Sequence, residues 1–402
     1  MKKYLETDES VKKLKSREEL WEYLKFRKEN DEWLNVFINE MAAVGIKNEP
    51  LFIPQSCSNL KIKKNGYTMD IPDIDYEKTE NEECIKDTGL FLVFPYKNKV
   101  IAYPTRRIAY SSICKRADDD CGTMFRFDTK PSKQVLPIDE KAERLTRDYL
   151  LYSDDCKILL RDGKVSAALS KEYAILPADE LIEHLEKQLM LDHPDYEFDN
   201  GMVSHEYLMV EYLLNDTLME ESVRLKLNDA GAKISKLKAG IRFSTSDVGL
   251  SKVYATVFYD ADGIRTTLGA GIEMEHKGDA KTEKFEEKVA YLGTLFKECE
   301  EQIERMGNIP IRNLAGCVKE IREVYTFLPK STAETVEEEL QLKYPNGGTA
   351  IDVYLALNDI IQRHAKSANL SPTRYLNLSE QVAKLMKLPY EKIENGEWKQ
   401  NN

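Results

Sequence analysis

Between Gly240 and Gly278 three β-prone runs are separated by two reversal signals, and such a stretch has few ways to fold. Ile241-Arg242-Phe243-Ser244 reads as a strand, Ser246-Asp247-Val248-Gly249 as a turn, and Val253 to Tyr259 as a strand rich in β-branched and aromatic residues. Asp262-Gly263 makes the second reversal, because both central positions of a type I′ turn need positive φ and these two residue types tolerate it. Thr266 to Glu275 returns as a third strand, with Gly269 and Gly271 where a bulge or a close backbone approach is tolerated. Three strands joined this way form an antiparallel meander over about 240–276.

The flanks decide the fold class. Ser16-Arg17-Glu18-Glu19 fits a capping box and predicts a helix from there. Trp33, Leu34, Phe37, Ile38 and Met41 recur at three and four residues, so a second helix is expected, capped by Asn30-Asp31 and ended by Gly45. Beyond Leu51 come short apolar runs read as strands: Gly89 to Phe94, Lys99 to Tyr103 and Met124 to Phe127. Glu77 to Asp87 reads as an acidic surface loop and Pro131 to Pro137 as a joint. Ile138 to Tyr152 is helical in pattern, and Lys157–Leu160 and Val165–Leu169 form a hairpin across Arg161-Asp162-Gly163-Lys164. Pro177 opens a helix to about Leu191, and Tyr207 to Leu214 reads as a strand. Lys281 to Met306, Leu314 to Phe327, Thr349 to Ser367 and Leu378 to Met386 predict a helical carboxyl-terminal quarter, with Tyr344 to Gly348 as a loop. The expectation is an α+β fold: a helical segment over 1–50, a β-rich region over 51–137, an α+β core over 138–306 and a helical region over 307–402.

Composition limits the partners. Among 402 residues, 58 Lys+Arg face 70 Asp+Glu, a formal charge of −12, which excludes a generally basic nucleic-acid coat. With 42% hydrophobic residues the chain can bury a real core. The cysteines Cys57, Cys84, Cys114, Cys121, Cys156, Cys299 and Cys317 are odd in number, scattered and without a C-x-x-C, which argues against a disulfide framework or zinc ribbon. Met1 to Glu9 lacks a signal-peptide apolar stretch, and no later run has the length of a membrane span. A reducing host cytoplasm and no membrane partner are expected.

Three pieces in order resemble a family of phage- and plasmid-borne proteins of uncharacterised function, described as phage/plasmid-like. They are Asp162-Gly163-Lys164-Val165-Ser166 with Glu172-Tyr173-Ala174-Ile175-Leu176-Pro177; Phe243 to Gly249 with Gly271 to Gly278; and Gly348 to Asp359. The resemblance covers roughly residues 155–402. It implies a mobile-element origin and a cytoplasmic setting, and it supplies no catalytic residues. The family's Arg-x-x-Cys-x-Asn element is absent, since Asp262 to Thr267 stands in its place.

His205-Glu206 and His276 are the metal-ligand candidates, but no H-E-x-x-H or H-x-H core is present, and hydrogen-bonded sheet or surface histidines are the simpler reading. His184, His193 and His364 sit near helix ends. The Asp118-Asp119-Asp120 loop between Cys114 and Cys121 lacks EF-hand order and reads as a solvated turn; Asp154-Asp155 and Asp260/Asp262 carry nothing that would converge them on a metal. No Gly-x-Ser-x-Gly, Walker loop or dinucleotide fingerprint is present, so neither a catalytic residue nor a cofactor or metal is expected. What does stand out is cations beside aromatics: Arg106, Arg107, Lys115, Arg116 and Arg126 near Tyr103, Phe125 and Phe127, and Arg242, Lys252 and Arg265 around Phe243 and Tyr254. Cations neutralise phosphates while aromatic faces stack unpaired bases; the plainer reading is the alternation of core and solvent faces that any strand has. The expected function is non-enzymatic binding or annealing of single-stranded DNA, in a chain that can be a homo-oligomer. The alternative is an interaction protein that inhibits a host defence factor with its acidic surface.

Overall fold

The computed structural model describes residues 4–5, 10–45, 60–64, 67–71, 87–96, 99–125, 136–229, 234–368, 370 and 372–398. Arg126, most of the Glu77–Asp87 loop and most of the Pro131–Pro137 joint lie outside them. The chain runs from β1 (Lys12–Leu14) and α1 (Arg17–Asn30) to β2 (Asp31–Phe37), a 3-10 turn (Ile38–Glu40) and β3 (Ala42–Gly45). Two hairpins follow, β4 (Leu60–Lys64) with β5 (Tyr67–Ile71) and β6 (Leu90–Tyr96) with β7 (Lys99–Pro104). Next come α2 (Tyr110–Arg116), α3 (Cys121–Phe125), α4 (Ile138–Tyr149), β8 (Asp155–Arg161), β9 (Lys164–Ser170) and α5 (Ala178–Asp192). β10 (Glu197–Val203), β11 (Leu208–Leu213), α6 (Thr217–Asp229), β12 (Leu237–Thr245), β13 (Val253–Ala261) and β14 (Ile264–Met274) complete the sheets. The rest is α7 (Thr282–Val289), α8 (Leu292–Gly307), α9 (Leu314–Val324), α10 (Lys330–Lys343), α11 (Ala350–Ser367), α12 (Pro372–Leu385) and α13 (Tyr390–Glu394), with β15 (Pro310–Ile311) clasping β16 (Gly348–Thr349). The fold is α+β with antiparallel sheets.

The predicted meander forms one side of a six-stranded antiparallel sheet ordered β1-β10-β11-β12-β13-β14. Both Asp-Gly reversals have the required backbone: Asp162 and Gly163 at φ 52 and 77, Asp262 and Gly263 at φ 51 and 90. The β13–β14 register slips between Thr256 and Phe258, opposite the stretch between Thr267 and Gly271, where two extra residues on β14 are absorbed.

Three local expectations are corrected. The second amino-terminal helix is instead β2, the 3-10 turn and β3. Leu34 and Val36 are buried while Asn35 and Phe37 are exposed, a period of two that satisfies the β8 partner strand, and it prevails over the looser three-and-four spacing. Met124 and Phe125 close the short helix α3 rather than forming a strand. The single helix over 281–306 is two, broken at Ala290–Tyr291, so that Tyr291 is exposed while Val289 and Leu292 on either side reach the core.

Two hydrophobic cores result. One is built from β2, β3, β6, α2, α4, β8 and β9 around residues such as Phe94, Tyr149 and Ile158. The larger one takes α1, α5 and one face of the six-stranded sheet, together with α7 to α13. Between them lies a small apolar contact of Leu159, Ala167 and Val248, flanked by Trp33, Ile108 and Leu169. No helix among the described residues is long and apolar enough to cross a membrane.

Candidate functional site

The cations singled out in the sequence do not share one surface. Arg106 is buried, its Nη2 donating to Asp162 Oδ2 at 3.3 Å and to the Arg161 carbonyl at 3.2 Å. Arg107 pairs with Asp87 at 2.5 Å. Arg242 is buried, with Nε 2.6 Å from Glu211 Oε1 and Nη1 3.2 Å from Thr267 Oγ1. Arg265 is held by Asp199 at 2.7 Å, by Asp260 at 3.2 Å and by Glu211. Lys252 bridges Glu273 at 3.3 Å and Glu275 at 2.9 Å. Alternation along β12 does turn Arg242 away from Phe243, but the second face of the sheet is covered: the Arg242 guanidinium lies 5.8 Å from the Tyr375 ring of α12. A strand reveals its two faces, and only the tertiary packing decides whether the second is wet. The continuous basic stripe expected along the central β-layer is therefore absent from the described residues.

A smaller basic site does form. Lys115 and Arg116, in the last turn of α2, and Lys252, ahead of β13, line a cleft of about 480 Å³ between the two cores, joined there by Lys277. Among its lining residues four cations face one carboxylate, Glu275. Hydroxyls of Ser111, Ser112, Ser170 and Ser251 share the wall, and Lys115 and Lys277 are exposed. The two α2 cations also complement the carbonyl end of their helix, which explains part of their placement without any ligand.

The first two of the pieces carrying the phage/plasmid-like resemblance meet beside this cleft. The Tyr173 ring stacks on His276, with centroids 5.0 Å apart and planes at 5°, and on Trp33 at 5.8 Å and 25°. Its hydroxyl donates to the carbonyls of Ser246 and Asp247, each at 3.2 Å. His276 is set between Thr245 Oγ1 at 3.3 Å and the Ala174 carbonyl at 3.2 Å. Burial holds its pKa below the ordinary imidazole value, against the pull of Asp247 and the Ala174 hydrogen bond. In the third piece, Asp352 accepts from the Thr349 amide at 2.9 Å, fixing the start of α11.

Beneath the Asp162-Gly163 hairpin lies an ion network that the sequence did not announce. Arg161 donates to Asp31 Oδ2 from Nε at 2.9 Å and from Nη2 at 2.6 Å, to Asp247 Oδ2 at 3.1 Å and to the His205 carbonyl at 2.9 Å. Asp31 also accepts from Arg27 at 3.0 Å, and Asp162 from Arg27 at 3.4 Å. The signal in the sequence is indirect: Asp162 and Asp247 each fit a turn, and nothing local marks a turn aspartate as an ion partner. Among the described residues, no group of three or more His, Cys, Asp or Glu is arranged to hold a metal ion. No family model matches the chain, and neither curated proteins nor solved structures yield a match.

Proposed function

We propose that the chain is a non-enzymatic binding protein of a phage or plasmid that takes the phosphate backbone of a single-stranded nucleic acid into the cleft between its two cores. The carrying observation is the four-to-one excess of cations over carboxylates among the cleft residues Lys115, Arg116, Lys252, Lys277 and Glu275. Serine hydroxyls and lysines contact phosphate without reading sequence. Base stacking plays little part in this reading, because the Tyr173 ring is already sandwiched between Trp33 and His276. Lys252 is partly committed to Glu273 and Glu275, so two or three phosphates are neutralised and log K against log salt should fall with a slope of about −1.5 to −2. Titration of labelled oligo-thymidylate between about 50 and 200 mM salt measures this. The double variant Lys115→Glu/Lys277→Glu should lose binding, and Arg107→Gln should keep it. Absence of binding at the lowest salt, a flat salt slope, or full binding by the double variant would sink the reading.

A second reading rests on a different observation. Pairing of Arg106, Arg107, Arg242, Lys252 and Arg265 with acids draws cations away from the surface of a chain of charge −12. Under it the protein covers a nucleic-acid site on a host defence factor with its acidic exterior. Recovery of one stoichiometric partner from host lysate, released by moderate salt, together with no oligonucleotide binding, distinguishes it from the first.

A further inference from the structure

The basic cleft between the two cores is bounded on all the sides that the chain can be followed out of it. Of its four cations, Lys252 is paired with Glu273 and Glu275, but Lys115, Arg116 and Lys277 make no side-chain hydrogen bond or ion pair among the described residues. Arg116 is half-buried, and a guanidinium drawn out of water without an acceptor is costly to keep. Among the wall hydroxyls, Ser112 donates to the Ala109 carbonyl at 2.9 Å and Ser251 to the Lys252 carbonyl at 3.0 Å. The hydroxyls of Ser111 and Ser170 have no partner among the described residues and remain for a ligand. With Glu275 as the one carboxylate against four cations, the cleft holds an excess of three positive charges.

Beyond the cleft the sign changes. Exposed carboxylates follow or flank its wall residues: Asp118 and Asp120 after Arg116, Glu172 after Ser170, Asp279 after Lys277, and Glu273 beside Lys252. The next lysines outward, Lys171 and Lys284, are taken by Asp154 at 2.6 Å and by Asp279 at 2.5 Å. A strand threaded through the cleft would lay internal phosphodiesters against carboxylates on both ways out, and like charges set together repel. A strand that enters by its end crosses the acidic margin once. Size points the same way. The volume of about 480 Å³ lies within the range of small-ligand pockets, about 300–1,000 Å³, whereas a groove that tracks a passing single strand covers roughly 4–16 nucleotides. A phosphomonoester carries about −1.5 to −2 at neutral pH, close to twice the charge of an internal diester. One terminal monoester and the diester next to it therefore match the excess of three charges.

We infer that the cleft is a site for a nucleotide phosphomonoester presented at the end of a single strand, held by Lys115, Arg116 and Lys277 with the Ser111 and Ser170 hydroxyls, and with Lys252 by the adjoining diester. The inference rests on the reading of this cleft as a nucleic-acid site and narrows that site to strand ends. Calorimetric titration of the full chain at low salt with unlabelled oligo-thymidylates of one length tests it: one with a 5′-phosphate, one with a 3′-phosphate, one with hydroxyls at both ends and one circular, beside thymidine 5′-monophosphate. At least one phosphorylated strand should bind about tenfold tighter than the hydroxyl-ended strand, and the circle no tighter than the latter. Lys115→Gln and Lys277→Gln, at two exposed positions, should each reduce that preference to about threefold or less, and Arg107→Gln should leave it unchanged. Equal binding of circular, hydroxyl-ended and phosphorylated strands overturns the inference and leaves the broader strand reading standing, and a preference that survives both lysine variants overturns the assignment to this cleft. Binding of the free monophosphate with no strand bound upholds the phosphomonoester site and overturns the strand reading; binding of nothing overturns both.

Discussion

Glu380, half-buried on α12, has its carboxyl pushed up to about 7, chiefly by burial and with a further push from Glu273, against the pull of Lys384, Arg242 and Lys252. In the unfolded chain the same group titrates near 4.5. The folded state therefore holds this proton more tightly, and the contribution to stability is full below about 4.5 and lost as pH rises through about 7. The shift corresponds to roughly 3 kcal/mol at face value and to about 1–2 kcal/mol after allowance for the solvent that still reaches the group. Glu380→Gln should accordingly be more stable than the parent by about 1–2 kcal/mol above neutral pH, with the gain shrinking toward zero near pH 4.5. Denaturant unfolding of both proteins across that range measures it, and a gain that grows on acidification would contradict the assignment. At this scale the sequence was legible where a residue's role is local. The positive φ of Asp162 and Asp262 follows from Asp-Gly alone. The fate of Arg242 does not, because it is decided by Tyr375, more than a hundred positions away.

Elements were recovered where their boundary chemistry is written in consecutive residues. Ser16 accepts from the Glu19 amide at 3.3 Å, although the Glu19 carboxylate reaches the Lys15 amide at 2.8 Å rather than that of the cap residue. β10 carries no strand signal of its own because Asp199-Asn200-Gly201 interrupts its apolar run, and its strand character comes from pairing with β1 on one side and β11 on the other. Gly240 shows what that pairing demands: a Cβ there would lie 2.3 Å from Phe258 Cζ and 2.6 Å from the Tyr212 carbonyl oxygen. Phe258 and Tyr212 are fully buried and have nowhere to retreat, so Gly240→Ala should cost about 2–3 kcal/mol. Gly293 in α8 makes the opposite case, since a Cβ there meets nothing within 4 Å. Gly293→Ala should stabilise by about 0.5–1 kcal/mol. Thermal unfolding of the two variants separates the effects, and a shift of the same sign in both would refute the packing argument for Gly240.

The two cores meet over little apolar surface, Leu159, Ala167 and Val248 with their flanking side chains, so the polar contacts at the junction carry an unusual share of the coupling. Arg161 is the central one. It leaves β8 in the smaller core's sheet, and it reaches both the His205 carbonyl ahead of β11 and Asp247 after β12 in the larger sheet. Removing one member of a buried ion network leaves its partners desolvated and unpaired, at a cost of about 3–5 kcal/mol. For Arg161→Gln that cost falls on the joint rather than within either core: Asp31 keeps Arg27, while Asp247 and the His205 carbonyl lose the donor from across the junction. The parent should therefore unfold in one calorimetric transition, and Arg161→Gln in two, with the smaller core melting first. Arg322→Gln, which breaks a half-buried pair with Glu337 inside the larger core's helices, should lower the temperature of a single transition without dividing it. If Arg161→Gln also melts as one unit, the coupling resides in the Leu159–Val248 contact and the Trp33–Tyr173–His276 stack instead. Which of these surfaces joins the cores could not be read from the sequence, because each turn residue involved, Asp162 and Asp247 above all, has a complete local explanation and shows its second role only when the hairpin and the meander are set against each other.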